Sequence, residues 1–170
     1  MFANSNGVSS FVHPEGVYDD PKGGSLRIAL YPRLRRHFQF INEEKLFDGI
    51  HHSTIFSLNV YSNALTEKFD TIGNLYSVEA IEECYDPYIT GPVPGIKDEN
   101  GWCSIGHPDR VISIGEEELR LFAKLFDGSK QWKAARLPVI HCKQVVEVLE
   151  CFSRQKRTLA SMKDDVSCPS

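Results

Sequence analysis

His13-Pro14-Glu15-Gly16-Val17-Tyr18-Asp19-Asp20-Pro21-Lys22-Gly23-Gly24-Ser25-Leu26-Arg27 is the stretch that decides the fold, because one short loop gathers strand-stop, turn and helix-start signals. Ahead of it, Gly7 to Val12 read as a short buried strand that Pro14 and Gly16 bring to an end. Gly23-Gly24-Ser25 then free the backbone to enter a helix with Ser25 as N-cap. From Ser25 to Arg36 the apolar positions Leu26, Ala29, Leu30 and Leu34 fall near helical spacing and leave Arg27, Arg33, Arg35 and Arg36 on the other side. Pro32 lies inside this run and predicts a kink or break there.

Downstream, Phe38, Phe40 and Ile41 suggest a second strand. Phe56, Leu58 and Val60 alternate with Ser57, Asn59 and Tyr61 at the period of a half-buried third, after a turn at Asp48-Gly49. Ser77 caps a short helix through Val78, Ile81 and Cys84. Asp86 to Gly101, with its Pro and Gly residues, is a long irregular loop whose length points to a functional or partner-covered segment. Val111 to Ile114 is a strand. Glu116 to Phe126 is a helix burying Leu119, Phe122, Ala123 and Phe126, with acids at the end the helix dipole favours. A last helix, about His141 to Arg154, buries Val145, Val148, Leu149 and Phe152.

At 170 residues the chain has the length of one domain with a sizeable core, and 41% hydrophobic with 25% charged residues is an ordinary globular composition. There is no apolar run of the ~20 residues a membrane span needs and no signal peptide at Met1 to Asn6, so a cytoplasmic location is expected. The five widely spaced cysteines (Cys84, Cys103, Cys142, Cys151 and Cys168) make no Cys-x-x-Cys pair and predict free thiols. A formal charge of −4 argues against strong general affinity for DNA and leaves only local phosphate contacts.

The His-Pro-Glu-Gly-Val-Tyr-Asp-Asp-Pro loop, the helix carrying Leu26-Arg27, then His37-Phe38-Gln39-Phe40-Ile41-Asn42-Glu43, Leu46-Phe47 and the strand Ile55 to Tyr61 resemble one segment of large bacterial N6-adenine DNA methyltransferases. These enzymes belong to restriction-modification (Type IIG-like) and phage-defence systems. The resemblance continues through Gly91-Pro92-Val93-Pro94-Gly95-Ile96-Lys97-Asp98, Gly106-His107 and Ala135-Arg136-Leu137-Pro138, covering about Gly7 to Phe152. It implies an α/β fold: the C-terminal part of a Rossmann-like methyltransferase sheet over 1–62 (strand-loop-helix, then antiparallel strands) and a following α+β region over 63–155, after which the polar end of the chain, 156–170, reads as a disordered tail. A first strand so close to Met1 is unusual for an intact enzyme of this kind, so a segment is expected to be missing upstream.

The resemblance also defines what this stretch does not encode. The family binds S-adenosylmethionine through a Gly-rich strand-turn-helix and holds the flipped adenine with an Asn- or Asp-Pro-Pro-Tyr or -Phe motif, and neither is present. Asp86-Pro87-Tyr88 comes nearest but lacks the second Pro and lies downstream of the sheet segments. No catalytic residue is therefore assigned, and no cofactor is expected on this chain alone. The complete enzyme would use S-adenosylmethionine and reach DNA with a complementary methyltransferase segment as partner. One family position carries over: an aromatic that stacks on the flipped base matches Phe47, a residue that packing in the core would equally explain.

Other candidates are weaker. Gly23, Gly24, Ser25 and Arg27 could hold a phosphate at a helix start, although a bare Gly-Gly-Ser without a Walker lysine is equally a structural turn. His51, His52, Cys103 and His107 are zinc-type residues without metal-site spacing. No Gly-x-Ser-x-Gly is present, and Asp19-Asp20 and Glu43-Glu44 are adjacent acids of loop type. The sequence thus reads as a fragment or split subunit of an N6-adenine DNA methyltransferase, inactive alone, with a stand-alone module for binding protein or nucleic acid as the alternative.

Overall fold

The computed structural model of the chain describes residues 7–99 and 101–156. In chain order it contains β1 (Ser9–Pro14), α1 (Gly16–Asp19), α2 (Gly24–Leu30), β2 (Leu34–Ile41), β3 (Ile55–Tyr61), β4 (Phe69–Leu75), α3 (Glu79–Cys84), β5 (Lys97–Asp98), β6 (Gly101–Trp102), β7 (Ile112–Ile114), α4 (Glu116–Phe122) and α5 (Lys143–Ser153). Five strands form one mixed sheet in the order β1-β3-β2-β4-β7, and β5-β6 is a separate hairpin. β3 lies antiparallel between β1 and β2, so those two strands run the same way. β2 and β4 make the parallel pair, and β7 closes the far edge antiparallel to β4. The fold is α/β, and the division at residue 62 falls between strands of one sheet.

Period-2 alternation decides what each face carries. Phe38 and Phe40 of β2, Phe56 and Leu58 of β3 and Ile72 and Leu75 of β4 meet Ala80, Ile81 and Cys84 of α3 on one side. On the other, Leu34, Phe69, Ile112 and Ile114 pack against Tyr18, Tyr31, Leu119, Phe122 and Leu137. Between these apolar ends the second face is polar and still buried: His37, Gln39, Ser57, Asn59 and Thr71 are all almost inaccessible. β3 is therefore covered on both sides, not half-buried as its alternation predicts. The polar positions read as solvent-facing are satisfied by one another.

The first helix ends where Pro32 requires. α2 stops at Leu30, Arg33 N–H donates to Leu30 O, and β2 begins two residues after the proline. Its buried face is the opposite of the expected one, since Leu26 and Ile28 are exposed and Arg27 is buried. Ser25 lies inside the helix and Gly23 occupies the N-cap position. Arg33, Arg35 and Arg36 are not on a helix: they straddle the turn into β2, with Arg35 donating to the carbonyls of Pro32, Leu34 and Asn63.

α3 and β7 occupy their expected places, whereas α4 ends at Phe122, passes into a π-helical turn over Ala123–Asp127 and leaves Phe126 exposed, not buried with Leu119, Phe122 and Ala123 as expected. Glu118 caps α4 by accepting from Gly115 N–H at 2.8 Å. In α5 only Val146 and Leu149 pack toward the core, while Val145, Val148 and Phe152 are exposed, because no further layer covers that side among the described residues. The expected tail lies outside the described residues except for Lys156.

β1 differs most from its reading. It pairs with β3 alone, its other edge is unpaired among the described residues, and Phe11 and Val12 are 59% and 54% exposed. A strand is buried only when both a neighbour and a covering layer are present, and β1 has one neighbour. Free apolar edges template association. The purified chain is expected to self-associate in sedimentation velocity, and Val12→Lys should lower the associated fraction. Equal association of parent and variant would exclude β1 as the template.

Candidate functional site

The polar seam begins in the loop after β1. Glu15 precedes α1 and turns its carboxylate onto the sheet, where His37 Nε2 lies 3.0 Å away. A carboxylate only accepts, so Nε2 carries the proton. In the neutral ring, Nδ1 then accepts from the Thr71 hydroxyl at 2.8 Å. The Ser57 hydroxyl also bonds to Glu15. Burial works to raise the Glu15 carboxyl, but the His37 hydrogen bond and charge, with the Ser57 bond, outweigh it and hold the group below its usual range.

Asn59 extends the seam. Its amide donates to Ser57 O at 3.1 Å and Ser57 Oγ at 2.9 Å, and its Oδ1 accepts from the Tyr18 hydroxyl at 2.6 Å. Tyr18 Oη lies 3.1 Å from Tyr61 Oη, which lies 3.1 Å from His13 Nε2. Since Tyr18 donates to Asn59, the Tyr61 hydroxyl is the donor to Tyr18. Burial above all, and then the Tyr61 hydroxyl, push the Tyr18 phenol far above its ordinary value, so it acts as a neutral hydrogen-bond group. The chain Tyr61, Tyr18, Asn59, Ser57, Glu15, His37, Thr71 thus ties β3, α1, β2 and β4 together. Ser57 and Thr71 are both buried, so the hydroxyls beside the imidazole-carboxylate pair are shut from solvent. The arrangement orients; it does not present a nucleophile.

The Gly23-Gly24-Ser25-Arg27 group stands beside this seam. The Arg27 guanidinium turns inward, its Nε donating to Ala134 O at 2.9 Å and its Nη1 to Val17 O at 3.1 Å and Asp20 O at 2.8 Å. Gly23 is needed for this, because a Cβ there would come within 2.7 Å of Arg27 Nη1. Tyr31 donates to Ala135 O and Leu137 N–H to Tyr18 O, so Ala135-Arg136-Leu137 is seated against the loop and α2. Sequence reading placed Arg27 with the exposed arginines and missed this bond set. The adjacent Gly-Gly was the one signal of a close approach.

Phe47 lies elsewhere, on the loop between β2 and β3. It is 41% exposed and rests edge-on against Phe56, ring centres 5.0 Å apart. Asn42, wholly buried, fixes the loop: its amide donates to Phe47 O and Ile50 O, and its Oδ1 accepts from Phe47 N–H. Leu46, Ile50 and Ile55 are exposed around it, giving an apolar rim.

The remaining candidates are dispersed. His51 pairs with Ser53, and His52 pairs with Glu43 at the surface. Cys103 and His107 lie in the other half of the chain, where Cys84 Sγ accepts from His107 N–H. Among the described residues no three His, Cys, Asp or Glu side chains form a metal-sized group. Asp86 makes a local turn bond to Tyr88 N–H, and the Tyr88 ring projects into solvent. Gly106 allows its loop to lie against α3, where a Cβ would collide with Ala80 O. Among the described residues no helix is long and apolar enough to cross a membrane.

Comparison with known proteins gives no match: no family model fits the chain, and no curated protein or solved structure is significantly similar to it.

The seam has a pH signature. A carboxyl depressed on folding contributes stability above its unfolded value, 4.5, and loses it as pH falls through the lower folded value. Urea titrations from pH 7 downward should show this acid limb. Glu15→Gln should cost about 1–3 kcal/mol at pH 7 and flatten the limb, because the charged acceptor is gone. Parallel curves for parent and variant would remove Glu15 as its source.

Proposed function

We propose that the chain is the C-terminal piece of an N6-adenine DNA methyltransferase catalytic domain, joined to the beginning of the adjoining α+β region, from a restriction-modification or phage-defence system. The observation that carries this reading is the end of the sheet: β1, a loop and helix, then β2 running with β1 and β3 inserted antiparallel between them. An antiparallel ending of this kind is what the sequence resemblance implies. Contact between the His-Pro-Glu-Gly loop and the Ala135-Arg136-Leu137 segment, two separate stretches of that resemblance, supports it further.

On this reading the free edge of β1 receives a strand of the complementary segment, and the exposed Phe11 and Val12 are covered there. S-adenosylmethionine and the groups that hold the adenine amine belong to that segment. This chain supplies the closing strands and the Phe47 rim, an apolar face for a base taken out of its stack. The enzyme works on DNA in the cytoplasm. The alternative, a free-standing module that binds through an arginine-rich helix, is disfavoured because the helix ends at Leu30, before Arg33, Arg35 and Arg36.

Two measurements test the reading. Calorimetric titration of the isolated chain with S-adenosylmethionine should show no saturable binding; one-to-one binding would overturn it. In an enzyme completed by co-expressing the upstream segment, Phe47→Ala should slow methyl transfer roughly ten- to a hundredfold, as loss of a stacking contact of ~1–3 kcal/mol requires. Phe47→Trp should keep much of the rate, and the melting temperature of the alanine variant should change little. A large fall in melting temperature with an unchanged rate per folded molecule would make Phe47 a packing residue.

A further inference from the structure

A cleft of about 360 Å³ opens beside the start of α2, with Arg27, Asp127, Ser129, Gln131 and Arg136 in its lining. Arg27 is 2% exposed, and its three hydrogen bonds all go to backbone carbonyls. Among the described residues no carboxylate pairs with it, and its Nη2 has no hydrogen-bond partner. Carbonyl dipoles satisfy N–H groups but carry no net charge. Nη2 is unpartnered but not enclosed, so it stays open to an anionic oxygen entering the cleft.

The opposite wall offers no compensation. Asp127 is engaged by Arg136, whose Nε donates to Oδ1 at 2.6 Å and whose backbone N–H donates to Oδ2 at 3.0 Å. Arg136 Nη2 is bonded to Phe126 O, and its Nη1 is without a partner among the described residues. Two guanidinium groups against one carboxylate leave the lining with a single unbalanced positive charge. At the rim, the Gln131 side chain makes no hydrogen bond among the described residues, and Ser129 Oγ accepts from Gln131 N–H.

We propose that this cleft binds an anion of the phosphate class. Arg27 Nη2 and Arg136 Nη1 act as donors, and the planar guanidinium suits phosphate oxygens. Three carbonyls fix Arg27 in place, so its donor is oriented before any ligand arrives. The phosphate can come from a nucleic-acid backbone or from a free phosphate compound. Anion binding in this cleft stands independently of the methyltransferase reading, which only adds DNA as one source.

The experiment uses the full chain and measures no methyl transfer, so its outcome is separate from the fate of that reading. Inorganic phosphate is titrated by calorimetry, and a short DNA duplex is titrated by fluorescence anisotropy, against the parent, Gln131→Glu and Gln131→Lys. Gln131 is exposed and its side chain is unbonded among the described residues, so neither substitution touches the core, and thermal melting checks that both variants fold. One saturable phosphate site is expected, weakened at least tenfold by Gln131→Glu and strengthened by Gln131→Lys. Parallel weakening of duplex binding assigns the phosphate to DNA; unchanged duplex binding assigns it to a free compound. Absence of saturable phosphate binding, or equal affinity in the parent and Gln131→Glu, would overturn the proposal.

Discussion

The 3.0 Å hydrogen bond between the Glu15 carboxylate and His37 Nε2 joins the loop after β1 to the middle of the sheet, and the packing of that face depends on it. A charged carboxylate in the interior is tolerated only when donors surround it. His37 and Ser57 supply them, Asn59 holds Ser57, and Tyr18 holds Asn59. Each partner is itself buried, so each needs a further partner, and the network ends at Thr71 on one side and at Tyr61 and His13 near the edge on the other. A face that apolar residues could have filled more simply is thereby given a single arrangement, because an amide or hydroxyl moved out of register would lose its partner.

Arg27 has the same role for the other cover of that face. Its guanidinium gathers the carbonyls of Val17, Asp20 and Ala134, drawing together the loop, the start of α2 and a segment more than a hundred residues away in sequence. Tyr31 and Tyr18 add two bonds from the same neighbourhood. Arg110 repeats the device at the C-terminal end of β4, donating to Gly73 O, Asn74 O and Ile105 O while almost wholly buried. In both places a cation substitutes for regular hydrogen-bond ladders where chain segments meet without forming a sheet or helix.

The surfaces that remain apolar are equally informative. The edge of β1, the Phe47 rim and the outer side of α5 all carry exposed large side chains, at places where the described residues supply one packing layer and no second.

Much of the fold was legible in the sequence because its signals are local. Pro32 ended α2, Asp48-Gly49 made a turn, and the periods at Phe56 to Tyr61 and Glu116 to Phe122 gave a strand and a helix, each set by dihedral limits or side-chain spacing within a few residues. The candidate site was much less legible. Phe47 and the Gly23 to Arg27 group could be pointed to, but Glu15, His37, Asn59 and Tyr18 resemble ordinary polar and loop residues until four elements bring them together. Which face of α2 is buried, whether β1 is covered, and whether the polar side of β3 meets water were decided only by tertiary structure. Those properties depend on what packs against an element, and for Arg27 that partner is the carbonyl of Ala134.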